Sequence, residues 1–172
     1  GGGRLLREDG LRALLVDGVA DNAMVTRVVN GGALGSKKGV CAPGVNLDIA
    51  AVTEKDAADA RFGAELGVDY VALSFVRSAA DVTTLRAIIG DTVPVLVKIE
   101  KAEAVANLEA ILRAADGSMV ARGELGVDVP LERVPAAPST TIRACRALRS
   151  PDIPAQHAAG DVAQHQAPLP AR

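Results

Sequence analysis

The sequence predicts an α/β fold, a short β-rich segment followed by a repeating strand–helix pattern. Two observations predict it. Up to about residue 44 the apolar residues fall in β-branched runs parted by glycine-containing turns. From about 45 to 149, short apolar runs of the kind buried on both faces of a parallel sheet alternate with stretches of helical periodicity.

In residues 1–44, Leu14-Leu15-Val16 and Met24-Val25-Thr26-Arg27-Val28-Val29 are the strand candidates. Asp17-Gly18 and Asn30-Gly31-Gly32 are the turn signals, and Cys41-Ala42-Pro43-Gly44 closes the segment as a turn. In residues 45–149, Thr53 is placed to cap a helix whose apolar stripe is Ala57, Ala60 and Ala64. Val68 to Phe75 is the first parallel-strand run. Ser78 and Asp81 have capping-box spacing, with Val82, Leu85, Ile88 and Ile89 on one face behind them. Pro94 to Ile99 is the second strand run and Gly117 to Ala121 the third; Ala104, Val105, Leu108, Ile111 and Leu112 mark a helix between them. These runs recur about one βα unit apart, which implies a parallel sheet or barrel. Residues 150–172 change texture. Pro151, Pro154, Pro168 and Pro170 fall here with both histidines and Gln156, Gln164 and Gln166, without periodicity, and the stretch reads as a disordered or frame-shifted tail.

Composition removes several function classes. Phe62, Tyr70 and Phe75 are the only aromatics, too few for the stacking platforms of a single-stranded nucleic-acid binder. A formal net charge of −2 gives no global field for nucleic acid or an anionic membrane. No apolar stretch is long enough to span a bilayer, and Gly1-Gly2-Gly3-Arg4 has neither the apolar region of a signal peptide nor an initiator Met. Cys41 and Cys145 stand far apart and form no metal-ligand or redox pattern; two reduced thiols fit a cytoplasmic location.

The chemistry concentrates at Val97-Lys98-Ile99-Glu100. Strand side chains alternate, so Lys98 and Glu100 share one face and Val97 and Ile99 the other. A charged pair ending an apolar strand is costly to bury. It is either a structural ion pair or a functional group of a parallel sheet, whose sites gather at the C-terminal strand ends. One βα unit on, Ala121-Arg122-Gly123-Glu124-Leu125-Gly126 follows the next strand run, and its glycines let backbone approach a ligand. A helix starting there offers free N–H groups to an anion. Two carboxylates and a lysine at neighbouring strand ends suit a hard divalent cation beside a phosphoryl group; a plain helix-start loop is the alternative.

Ser36-Lys37-Lys38-Gly39-Val40, Pro43-Gly44 and Thr53-Glu54-Lys55-Asp56, then Gly67 to Arg77, Lys98-Ile99-Glu100-Lys101 and Ala115 to Val127 closely resemble, in order and spacing, the pyruvate kinase family. The resemblance runs from about residue 4 to 149. It implies an incomplete (β/α)8 TIM barrel with part of a small β-barrel lid: lid residues 1–44, partial barrel 45–149 carrying strands four to six, and the tail. It implies phosphoryl transfer from phosphoenolpyruvate to ADP, giving pyruvate and ATP, with Mg2+ and K+ as cofactors in a cytoplasmic, homo-oligomeric family. By resemblance Lys98 neutralises the moving phosphoryl group, Glu100 and Glu124 bind magnesium, and the backbone of Gly123 and Glu124 holds the substrate carboxylate. Ser74 and Phe75 line the site, and Lys38 contacts the nucleotide. The plain alternatives are a solvated loop lysine for Lys38 and a core side chain for Phe75.

The chain departs from the family pattern in three ways. Glu124 stands where the family has Asp, one methylene longer than near-octahedral magnesium prefers. The first three barrel strands are absent, with the substrate arginine and the potassium ligands. After Leu148 the expected seventh strand and its threonine do not follow. The sequence therefore also allows a non-catalytic remnant, and a magnesium-dependent (β/α)-barrel lyase acting on pyruvate or oxaloacetate is a third reading.

Overall fold

The computed structural model describes residues 2–8, 10–36, 38–45, 49–121, 125–126, 136–148 and 151–154. They fall in two compact units that divide between residues 46 and 47.

The first unit is an antiparallel sheet of β1 (Arg4–Arg7), β2 (Arg12–Ala20), β3 (Ala23–Asn30) and β4 (Val40–Cys41), in the order β3-β2-β1-β4. Asp17-Gly18 does not turn the chain. It lies inside β2, where the pairing with β3 shifts register between Val16 and Gly18. An extra residue is absorbed there as an irregularity of the ladder. The hairpin turns instead at Asp21-Asn22, with Asp21 in the left-handed region at φ 50° that short hairpin loops require. The turn expected over Cys41 to Gly44 forms one residue later, over Ala42 to Val45, closed by Val45 N–H donating to Ala42 O at 3.1 Å, because Cys41 is taken into β4.

The second unit is α/β. Helices α1 (Glu54–Glu65), α2 (Ala79–Ile89), α3 (Ala102–Ala106), α4 (Leu108–Ala114) and α5 (Ala136–Leu148) alternate with β5 (Val71–Leu73), β6 (Val95–Ile99), β7 (Gly117–Val120) and β8 (Asp152–Pro154). These four strands form one sheet in the order β5-β6-β7-β8, parallel at every pair. Among the described residues the sheet does not close into a barrel.

Both predicted caps form. Thr53 N–H donates to Asp56 Oδ2 at 2.9 Å while Asp56 N–H donates to Thr53 Oγ1 at 3.2 Å, a capping box that satisfies two free helix-end donors. Asp81 Oδ2 likewise accepts from Ser78 N at 2.9 Å and Arg77 N at 2.8 Å. The core lies on one face of the sheet. Val95, Val97 and Ile99 alternate along β6 into it, where Val82, Leu85 and Ile89 of α2 and Leu108, Ile111 and Leu112 of α4 join them.

Three features differ from the sequence reading. The run Val68 to Phe75 yields only three strand residues: pairing with β6 begins at Val71, and beyond Leu73 the chain leaves the sheet toward Phe75, which adopts φ 54°. The predicted third helix is two helices. Asn107, at φ −102°, interrupts it and donates from its side-chain amide to Arg77 O at 2.9 Å, tying the break to the loop between β5 and α2. Finally, the start of the supposed tail is ordered as β8, which pairs with β7 from Ser118↔Asp152 to Val120↔Pro154. Pro154 lacks an N–H, but an edge strand tolerates that, and Ser118 N–H donates to Pro151 O at 2.9 Å. The remainder of the tail, residues 155–172, lies outside the described residues.

Candidate functional site

Because β5, β6 and β7 run parallel, Ser74, Glu100 and Ala121 all follow the C-terminal ends of their strands. Lys98 and Glu100 lie two residues apart and their charged ends meet, Lys98 Nζ standing 2.5 Å from Glu100 Oε1. The ammonium also donates to Ser74 Oγ at 3.3 Å. Glu100 is 1% exposed, and its Oε2 accepts the Phe75 N–H at 2.7 Å. The left-handed turn at Phe75 aims that N–H. Such a conformation is costly for a bulky residue and occurs where the surroundings impose it, often at functional sites. The Phe75 ring is 55% exposed, so the reading of this residue as core fails: its backbone holds the carboxylate and its ring faces outward.

Among the described residues the buried Glu100 Oε1 accepts no hydrogen bond, although the Lys98 ammonium stands 2.5 Å from it. An ionised carboxylate offers about four lone-pair sites, so the ion pair leaves room for a further positive ligand. That fits a divalent cation such as magnesium, which takes one or two carboxylates and keeps waters and phosphate oxygens as its remaining ligands. Among the described residues no group of three or more His, Cys, Asp and Glu converges on one point. Of the other predicted site residues, Gly123 and Glu124 lie outside the described residues. Lys38 belongs to the first unit, where its side chain is exposed.

Sequence reasoning missed the part played by the Phe75 backbone, because nothing in a Leu-Ser-Phe-Val run signals a positive φ. It also missed Asn107, whose amide holds the loop after β5; an isolated asparagine in an apolar periodicity is the available signal.

The family model for the pyruvate kinase barrel domain matches residues 1–172. The chain belongs to the pyruvate kinase family. It is 48% identical over 149 residues to a pyruvate kinase of Agrobacterium vitis, covering 87% of this chain and 31% of that protein. It is 46% identical over 160 residues to that of Geobacillus stearothermophilus, covering 90% of this chain and 27% of the relative. With human pyruvate kinase PKLR the identity is 43% over 155 residues, covering 88% of this chain and 27% of the relative. The chain thus spans about a third or less of the length of the curated relatives it matches. Among the described residues no helix is long and apolar enough to cross a membrane.

Proposed function

We propose that the chain carries the central part of a phosphoryl-transfer site acting on phosphoenolpyruvate and ADP, releasing pyruvate and ATP. The reading assigns the second unit to an incomplete (β/α)8 TIM barrel and the first to part of a small β-barrel lid, in a cytoplasmic, homo-oligomeric enzyme. The observation that supports it best is the convergence of the Lys98 ammonium, the Ser74 hydroxyl and the buried Glu100 carboxylate at one strand-end rim.

Phosphoryl transfer has a loose transition state with negative charge spread over the equatorial oxygens, so fixed positive charge aimed at it is the main aid. Lys98 supplies that charge. Its Nζ is held from two sides, by Glu100 Oε1 and Ser74 Oγ, while 27% of its side chain stays exposed toward incoming substrate. Phe75 N–H fixes Glu100 in turn, so the ammonium need not be ordered at the moment of reaction. Glu100, with Glu124 as second ligand, would hold the magnesium ion. Bound there, the metal would supply Lewis-acid stabilisation of the phosphoryl oxygens. Backbone N–H groups of Gly123 and Glu124 would take the substrate carboxylate, Ser74 and Phe75 would line the site, and Lys38 would meet the nucleotide. Potassium is expected from the family alone.

A second reading, a non-catalytic remnant, is favoured by β5, whose outer edge pairs with no strand among the described residues. Coupling pyruvate production by the full 172-residue chain to lactate dehydrogenase separates the two. The catalytic reading expects turnover that Lys98→Met lowers about 10²–10³-fold, the usual loss of one preorganised charge-stabilising group. Absence of turnover, or turnover indifferent to Lys98→Met, defeats it.

A further inference from the structure

In the first unit, the loop from Gly31 to Gly39 has no helix or strand among its described residues, yet its backbone is tied down at three points. All three ties come from the β1–β2 hairpin. Arg12 Nε donates to Ala33 O at 3.4 Å, Glu8 Oε1 accepts from Gly35 N at 3.0 Å, and Arg7 Nη2 donates to Lys38 O at 3.2 Å. Glu8 Oε2 also lies 3.8 Å from Arg12 Nε, which links two of the ties. Glu8 itself sits at φ 51°, a left-handed conformation at the hairpin corner.

The loop backbone lies directly on these side chains. A Cβ at Gly32 would fall 2.5 Å from Arg12 Cζ, and one at Gly35 would stand 3.2 Å from both Glu8 Oε1 and Lys38 Cε. Glycine is needed at Gly32 for its φ of 141°, and a side chain there would also displace the Arg12 guanidinium. The buried Arg7 Nε has no hydrogen-bond acceptor among the described residues. The loop ends at an exposed Lys38 that forms no ion pair among the described residues.

We propose that Arg7, Glu8 and Arg12 are positioning residues that preorganise the 33–38 loop, so that the Lys38 ammonium is presented in one direction to the phosphates of a nucleoside diphosphate. The inference rests on the reading of Lys38 as the nucleotide contact. Its logic is entropic: an ordered loop has less freedom left to lose when the anion binds. Glu8 gives the discriminating case. Removing a carboxylate near a lysine should by charge alone strengthen anion binding, whereas loosening the loop weakens it.

The test is calorimetric titration of the full chain with ADP in magnesium buffer, with adenosine as the phosphate-free probe. Lys38→Met is expected to weaken ADP binding about 10-fold, Glu8→Ala about 5-fold and Arg7→Met about 3-fold, the range set by immobilising one or two rotatable groups. Glu8→Gln, whose amide oxygen can still accept from Gly35 N–H, should recover much of the loss. Adenosine affinity should not change in any variant. Unchanged or tighter ADP binding by Glu8→Ala, with Lys38→Met weakened, overturns the positioning role and leaves the Lys38 reading intact. ADP binding unaffected by Lys38→Met, or absent from the wild-type chain, overturns the Lys38 reading and this inference with it. Adenosine weakening in step with ADP points to general unfolding and also overturns it. Should Glu8→Ala lose its circular dichroism signal, Arg7→Met and Glu8→Gln decide by the same criteria.

Discussion

The two ends of the parallel sheet are built from the same parts and finished differently. At the N-terminal end, Asp116 Oδ2 accepts from Val95 N at 2.7 Å and from Arg86 Nη2 at 2.5 Å, while Arg86 Nε donates to Ala114 O at 3.3 Å. At the C-terminal end, Glu100 takes the Phe75 N–H and meets Lys98. Each end thus uses one cation, one carboxylate and one backbone N–H of a neighbouring segment. The carboxylate at the N-terminal end is 44% exposed, against 1% at the other. In the N-terminal clamp the Arg86 guanidinium of α2 reaches two acceptors, Ala114 O at the end of α4 and Asp116 just before β7, and Asp116 in turn accepts from β6. The C-terminal group buries its carboxylate, one oxygen of which accepts no hydrogen bond among the described residues, and sits beside a left-handed phenylalanine. Similar ingredients make a half-exposed staple at one end and a buried candidate site at the other, in line with the division of stability and function between the ends of parallel strands in this architecture.

Deleting the deeper carboxylate is the strongest way to break this contrast. Glu100→Ala strands the Lys98 charge and the Phe75 N–H, and urea unfolding should show a loss of about 3 kcal/mol, typical of half-removing a buried pair. Adding Lys98→Met should restore part of that loss by removing the stranded charge. A single variant as stable as wild type would mean that Glu100 anchors nothing.

Asp116→Asn tests the exposed clamp and should cost less, about 1 kcal/mol, since the pair is partly solvated. Burial pushes the Asp116 carboxyl up, but the Val95 N–H and the Arg86 guanidinium together pull it further down, leaving it below its ordinary 3.8. A carboxyl depressed in the folded state stabilises above its unfolded value, and that stabilisation is lost as pH falls through the folded value. Urea midpoints of the wild type should therefore drop below about pH 4, and Asp116→Asn should flatten that slope. An unchanged acid limb in the variant would remove Asp116 from the account.

Phe75→Gly sharpens the comparison with the smallest effect. Relief of the left-handed strain and the added chain entropy of glycine are each about 1 kcal/mol and oppose one another, so stability should move by less than about 0.5 kcal/mol. A loss well above that would show the exposed ring to be a packing element after all.

Much of the second unit was legible from local chemistry. Thr53 with Asp56 and Ser78 with Asp81 announce helix starts, because a short polar side chain beside free N–H groups needs no distant partner. The alternation of Val97, Lys98, Ile99 and Glu100 places the two charges on one face by the period of a strand alone, and they do meet. The first unit was harder. Asp17-Gly18 carries a turn signal of its own, but the pairing of β2 with β3 on either side absorbs it as an irregularity. The second unit has one such case: Asp152-Ile153-Pro154 has almost no strand signal, and it becomes a strand because the open edge of β7 offers hydrogen bonds to it.

By itself, the sequence determined which residues carry charge at the strand ends, where helices begin, and membership of the pyruvate kinase family, since caps, strand period and motif order depend on neighbours in the chain. Only the tertiary structure decided that Phe75 turns left-handed to hold Glu100, that Glu100 is buried against Lys98, and that Arg7, Glu8 and Arg12 pin a loop some 20–30 residues away in the chain. Those features are contacts between segments distant in sequence, and their energies depend on burial and direction, which no local pattern encodes.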